Sequence, residues 1–222
     1  DDPVYVHMTT NNTIYGTEFS VIPDVQSAPL VADMSSDMLS KPLAFDKFSL
    51  IYAGAQKNLG PAGVTVVVLK KEFLETAQDV NATMLKYSTH VDADSLYNTP
   101  PAFSVYLVNL VLRHLKKIGG LTAVAANNEK KAAYIYDVID GSNGFYKGHA
   151  QKDSRSLMNI TFTMANVDLE KKFVVESEAA GFIGLKGHRS VGGLRASVYN
   201  AMPLVGAKAL ADFMVEFQRK NG

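Results

Sequence analysis

The 222-residue sequence contains no cysteine. That absence excludes disulfides, thiolate metal sites and a cysteine nucleophile, and it leaves the compartment undetermined. An excess of charge of either sign is also missing, since Lys+Arg and Asp+Glu both number 22. A nucleic acid or other polyanion is therefore not expected as the main partner. No apolar run approaches the ~18 residues that a membrane helix needs, and no signal peptide opens the chain. The default expectation is a soluble, cytoplasmic protein with no membrane association. His7, His90, His114 and His149 show no metal-ligand spacing, so no metal site is expected. Asp1-Asp2-Pro3 leads straight into an apolar run without a methionine, and the chain is expected to be part of a longer polypeptide.

What is present reads as mixed α/β structure. Val4–His7, Leu30–Asp33, Ser49–Ala53 and Val64–Leu69 are near-continuous apolar runs, the pattern of strands covered on both faces. A helix is predicted over Lys71–Gln78, then a polar loop through Pro100-Pro101. From Ala102 to Ile118 the residues Val105, Val108, Val111, Leu112, Leu115 and Ile118 recur at helical spacing, and Gly119-Gly120 stops the run. Beyond it, helices are predicted over Thr122–Asp140, Asp168–Ala180 and Pro203–Arg219, with strands over Leu157–Met164 and Leu194–Val198. A boundary near Gly119-Gly120 thus divides residues 1–118, with the apolar strand runs, from 119–222, a small α+β domain.

One loop stands out chemically. Gly54-Ala55-Gln56-Lys57-Asn58-Leu59-Gly60-Pro61-Ala62-Gly63 places a lysine in a tight turn between two buried-strand patterns. Desolvating an ammonium is costly unless it is paired or neutralised. A single loop lysine ordinarily reaches solvent, but this setting favours a lysine held as a Schiff base by pyridoxal phosphate. A P-loop is the competing reading, and the order is wrong for it, because Gly60 follows Lys57. Such a cofactor needs an acid beside its pyridine nitrogen. Asp33 ends the run Leu30-Val31-Ala32 and should lie at a strand's C-terminal edge, where open α/β sheets bind ligands. Capping of the Ser35-Ser36 turn is its alternative role. Only five arginines occur, and Arg189 and Arg195 lie close together in a glycine-rich turn and strand. Arginine forks bind carboxylates and phosphates, although exposed salt bridges are an equally ordinary use.

These segments resemble the cofactor segments of phosphoserine aminotransferases, a family of fold-type I pyridoxal phosphate enzymes. Val31–Ser36 and Tyr52–Gly63 carry the likeness first. It continues through Tyr97-Asn98-Thr99-Pro100-Pro101, Lys186–Ser197 and Tyr199-Asn200-Ala201-Met202-Pro203, and so covers essentially the whole chain. The resemblance implies that Lys57 carries the cofactor and moves the substrate proton, and that Asp33 pairs with the pyridinium. It implies that Thr13 and Gln56 contact the cofactor, and that Asn98 and Thr99 reach the cofactor phosphate of the other subunit in a homodimer with shared sites. It assigns the α-carboxylate to Arg195 and the substrate phosphate, or a competing side-chain carboxylate, to His188 and Arg189.

The reaction implied is amino transfer between O-phospho-L-serine with 2-oxoglutarate and 3-phosphohydroxypyruvate with L-glutamate, in serine biosynthesis. Many bacterial members also transaminate the phosphorylated threonine precursor of pyridoxine, and the sequence leaves that second activity open. Family members carry a long N-terminal portion with a glycine turn for the cofactor phosphate, a stacking aromatic and a further substrate-phosphate arginine. This sequence contains none of it, and no tryptophan. Two other readings therefore stay open: a non-catalytic fragment, or another fold-type I enzyme of the cysteine desulfurase or alanine–glyoxylate type.

Overall fold

The computed structural model describes residues 3–78 and 82–222. Its larger sheet has the order β1-β4-β5-β6, formed by β1 (Val6–Thr9), β4 (Leu30–Asp33), β5 (Leu50–Gly54) and β6 (Thr65–Leu69). The first three run parallel, with Thr9 opposite Asp33 and Asp33 opposite Tyr52, and β6 returns antiparallel to β5. Parallel pairing sends the C-terminal ends of β1, β4 and β5 to one edge. Between β1 and β4 a small hairpin, β2 (Asn11–Asn12) with β3 (Thr17–Glu18), folds away from the sheet.

Helices α1 (Lys71–Glu75), α2 (Tyr87–Asp92) and α3 (Ala102–Lys117) follow, and α4 (Gly120–Gly141) leads into a second sheet. That sheet is antiparallel, in the order β7 (Lys147–Gly148), β8 (Asn159–Thr163), β9 (Leu194–Ser197). Helices α5 (Val167–Ala179) and α6 (Leu204–Asn221) complete it. Asn166 caps α5 by accepting from the Leu169 amide at 2.9 Å, and Pro203 stands at the cap position of α6, where its missing N–H costs nothing.

Several predicted boundaries are corrected. The first strand is shifted from Val4–His7 to Val6–Thr9, because the Val6 amide donates to Pro29 while Val4 and Tyr5 are exposed. The helix predicted over Lys71–Gln78 ends at Glu75, and the polar stretch before Pro100 holds α2. Burial on both faces fails for β6, whose Val67 and Val68 are exposed. In α3 only Val108 and Leu115 are buried, while Val105, Leu112 and Ile118 face outward.

Two hydrophobic clusters form. One gathers Met8, Leu30, Ala32, Ile51, Ala53 and Leu59 around the larger sheet and takes Val108 from α3. The other packs α4, α5 and α6 on β8 and β9, where Tyr146, Phe162, Phe173 and Phe217 meet largely edge to face.

The clusters are joined by buried polar groups. Asn11 Nδ2 donates to Ser36 Oγ at 2.8 Å and to Asn159 Oδ1 at 2.9 Å, and Asn11 Oδ1 accepts from Ser156 Oγ at 2.5 Å. Asn159 Nδ2 donates onward to Ser197 Oγ and Tyr199 Oη. The hairpin loop lies directly on β8. Gly16 has φ of 67°, and a Cβ there would meet the Asn159 carbonyl oxygen at 2.6 Å, so no other residue fits.

Below the sheet edge, Thr10 Oγ1 donates to Asp37 Oδ1 at 2.6 Å. Burial, opposed by that hydrogen bond and reinforced by Glu18, raises the Asp37 carboxyl to about 7. A carboxyl raised in the folded state is stabilising while protonated and loses that contribution as pH climbs toward its folded pKa. Asp37→Asn should therefore be near-neutral at pH 4. It should grow more stable than the parent up to about pH 7, then hold a plateau of up to ~4 kcal/mol. Urea unfolding across pH tests this, and a pH-independent difference would contradict it.

Candidate active site

Lys57 is carried on a turn that the chain closes upon itself. The Ala55 amide donates to the Val64 carbonyl at 2.9 Å, and the Leu59 and Gly60 amides both return to the Ala55 carbonyl. Leu59 is buried in the core of the larger sheet, and buried Asn58 accepts from the Asn200 amide at 3.0 Å. The turn is therefore anchored on both sides of Lys57, whose side chain is half-buried.

Lys57 Nζ donates to Thr13 Oγ1 at 2.7 Å. Thr13 sits in the hairpin loop after β2, and its carbonyl accepts from Arg195 Nη1 at 3.3 Å. One threonine thus touches the lysine from the larger sheet and the arginine from the smaller one. Asp33 ends β4, where Oδ1 accepts from the Ser35 amide at 2.8 Å, and Ser35 Oγ in turn accepts from the Gly54 amide at 3.1 Å. This Asx turn fixes the carboxylate on the same edge.

Burial pushes the Lys57 ammonium below the usual lysine value. The Asp33 carboxylate opposes that shift, nearby Arg195 adds to it, and Asp37 opposes it from deeper in the fold. A lysine with an easier route to the neutral amine is suited to nucleophilic attack on a carbonyl. Arg195 is half-buried on β9, and its Nε is a buried donor with no protein partner. An orphaned guanidinium donor beside the Lys57 amine fits an anionic ligand group.

The other expected residues are dispersed. Gln56 is exposed and folds back over the end of β5, so that a Cβ on Gly54 would meet its Oε1 at 2.7 Å. His188 Nδ1 lies 2.7 Å from Ser190 Oγ and lines a shallow cleft with Ile14, Tyr15 and His149. Arg189 is exposed on the same turn, with no hydrogen bond or ion pair among the described residues. Asn98 and Thr99 are exposed, the former donating to the latter's carbonyl at 3.2 Å. Among the described residues no hydrogen bond joins this pair to Lys57, Asp33 or Thr13. Capping of the Ser35-Ser36 turn, the alternative expected of Asp33, is observed, whereas Asn58 supports the site and was missed by sequence reasoning. The Asp33-Met34-Ser35 spacing of an Asx turn was the available signal for Ser35, and Asn58 left none.

The sequence matches the family described as aminotransferase class-V over residues 1–210. The chain belongs to that family. It is 62% identical, over 221 residues, to the phosphoserine aminotransferase of Lysinibacillus sphaericus, covering all of this chain and 61% of that protein. The solved phosphoserine aminotransferase from Bacillus circulans subsp. alkalophilus superposes with a TM-score of 0.96 at 55% identity, over 98% of this chain and 60% of that one. The pyridoxal phosphate-bound phosphoserine aminotransferase of Trichomonas vaginalis gives 0.89 at 39% identity, over 95% and 60%. The fold is thus fold-type I, and the chain spans about three-fifths of the length of these relatives. Among the described residues no helix is long and apolar enough to cross a membrane.

The charges around Lys57 define a test. Asp33→Asn removes the carboxylate that favours the ammonium, so the Lys57 titration should move down. Arg195→Met removes a repelling charge, so it should move up. Reductive methylation with formaldehyde and cyanoborohydride across pH, quantified at Lys57 by peptide mass spectrometry, reads both directions. Equal profiles in the parent and both variants would dismiss this electrostatic account.

Proposed function

We propose that this chain supplies the lysine, the ring-nitrogen acid and the carboxylate anchor of a pyridoxal phosphate-dependent phosphoserine transaminase. The reaction is amino transfer between O-phospho-L-serine with 2-oxoglutarate and 3-phosphohydroxypyruvate with L-glutamate, in serine biosynthesis. The observation that carries this reading is Thr13, hydrogen-bonded to Lys57 on one side and to Arg195 on the other. High identity to proteins named phosphoserine aminotransferase supports it over the cysteine desulfurase and alanine–glyoxylate readings.

The residues fit the cofactor. Lys57 would hold its aldehyde carbon, Asp33 its ring nitrogen, and Thr13 and Gln56 its polar edge. When bound, the cofactor supplies an electron sink for the carbanion formed at the substrate Cα. Arg195 then orients the α-carboxylate through its free guanidinium donor, and Lys57, released as an amine, takes and returns the proton at Cα. Asp33 keeps a proton on the ring nitrogen. His188 and Arg189 hold the substrate phosphate or the glutamate side-chain carboxylate. The two hydrophobic clusters support a division at 118/119 into the rest of a cofactor domain and a small C-terminal domain. A cytoplasmic location goes with this chemistry.

A homodimer with shared sites, in which Asn98 and Thr99 serve the partner's cofactor phosphate, belongs to the same proposal. Support comes from the apolar residues left exposed around that pair. Exposed Leu85, Leu96, Tyr97, Phe103 and Tyr106 surround the Asn98-Thr99 pair in sequence.

Activity is measured on this chain alone and on this chain joined to the region of the Lysinibacillus relative that it does not span. Borohydride reduction with pyridoxal phosphate should place the pyridoxyl group on Lys57, and a label confined to other lysines would remove the cofactor reading. Arg189→Ala should lower kcat/KM for phosphoserine by one to two powers of ten, the worth of a charge-assisted hydrogen bond of ~1.5–3 kcal/mol, and leave serine little changed. Equal losses for both substrates would take the phosphate away from Arg189.

Sharing of sites is tested by mixing Lys57→Ala subunits with Asn98→Ala/Thr99→Ala subunits. Hybrids should regain activity. No recovery despite demonstrated subunit exchange means that each site is built from one chain.

A further inference from the structure

Lys131 is the one lysine fully withdrawn from solvent among the described residues, and the transamination reading gives it no task. It lies on α4, one turn after buried Asn128. Its Nζ donates to two consecutive carbonyls just past the end of β9, Val198 at 2.9 Å and Tyr199 at 2.7 Å. Among the described residues no carboxylate forms an ion pair with it. Burial pushes its ammonium down to about 8, in keeping with a cation excluded from water and held by carbonyl dipoles alone. Leucine or methionine would fill such a place at lower cost, so the carbonyls themselves call for explanation.

The Tyr199 carbonyl belongs to the same peptide plane as the Asn200 amide. That amide donates to Asn58 Oδ1 at 3.0 Å, and Asn58 is the residue after Lys57. The Asn200 side chain is tied as well, to Asn128 Nδ2 at 2.9 Å and to the Leu39 carbonyl at 2.9 Å. Four residues before Tyr199, on β9, stands Arg195. The short segment that Lys131 holds therefore leads one way to the candidate carboxylate anchor and the other way to the candidate cofactor lysine.

We propose that Lys131 is a positioning residue: from α4 its ammonium fixes the Tyr199–Asn200 peptide, and through that peptide's N–H it fixes Asn58 and the desolvated pose of Lys57. The proposal rests on the reading of Lys57 as the reactive amine. An ammonium polarises the carbonyl it binds, and a polarised peptide is a stronger N–H donor at its other end.

The test uses this chain without cofactor, so that it stands apart from the reading it deepens. Lys131→Met removes the donor, and Asn58→Ala removes the last acceptor of the relay while leaving both Lys131 bonds intact. Either change should admit water to Lys57 and move its reductive-methylation profile to higher pH. In Lys131→Met the Asn200 amide should also exchange with deuterium about tenfold faster or more. Because the chain has no cysteine, Lys131→Cys can be alkylated with 2-bromoethylamine while unfolded. The resulting γ-thia analogue of lysine should restore both readouts on refolding.

A merely structural lysine would lower the melting temperature and leave the Lys57 profile where it was. That result in a folded variant, in Asn58→Ala alone if Lys131→Met does not fold, overturns the proposal, as does aminoethylation that restores folding without restoring the profile. Failure of pyridoxal phosphate to label the parent Lys57, with the methylation shifts present, removes the cofactor reading and leaves this one standing.

Discussion

Everything at the site depends on where Thr13 is held, because it is the residue that both Lys57 and Arg195 reach. Thr13 lies in a hairpin whose strands are only two residues each, too short to be stable alone. Its position comes from the buried polar junction at Asn11, where every side-chain hydrogen bond is made to Ser36, Asn159 or Ser156. A buried amide is costly when any bond is missing and nearly free when all are made. The junction therefore accepts one mutual placement of the two hydrophobic clusters. An apolar contact of the same area would tolerate sliding. Gly16 closes the arrangement, because the hairpin loop rests against the β8 backbone at a distance that leaves no room for a side chain.

That placement sets the electrostatics. Lys57 is drawn toward its neutral form by burial and by Arg195, and toward its charged form by Asp33 and, from further away, Asp37. The opposition keeps the amine usable. A carboxylate close enough to form a tight ion pair would lock the ammonium, while a wholly apolar setting would expel the charge at a cost of several kcal/mol. No ion pair joins Lys57 to Asp33 among the described residues, and the Asx turn at Ser35 holds the carboxylate by a backbone donor instead.

The long apolar runs announced β4, β5 and β6 to within a residue, and the helical spacing announced α3 and α6. Runs fail where burial and hydrophobicity part company. Val4 and Tyr5 look like strand and are exposed, while β2 and β3 are polar and buried in part through hydrogen bonds. Helix α3 has a wide apolar arc, so periodicity located it but not the narrow part of that arc, Val108 and Leu115, that the described fold buries. Asp33, Lys57 and Arg195 were legible as candidates because strand ends, a tight lysine loop and scarce arginines leave marks in one dimension. Thr13 came from the resemblance alone, as did the role expected of Arg195, and the structure sets the two side by side. Asn58 and Lys131 left no mark, because a buried polar residue is defined by partners far away in sequence, as Lys131 is by Val198 and Tyr199.

A division of labour follows between the two clusters. The larger sheet carries the amine and the acid at the C-terminal edge of parallel strands, where such sheets present their ligand crevice. The smaller sheet carries Arg195, on a strand braced by Lys131 at its end and by the Asn159 amide alongside. The proposed proton transfer needs Lys57 and a substrate held by Arg195 to agree closely in position. Two hydrophobic cores meet that demand only if the contact between them is directional. Hydrogen bonds are directional and hydrophobic contact is not. The density of asparagines at this seam, Asn11, Asn58, Asn128, Asn159 and Asn200, is the sequence-level expression of that requirement.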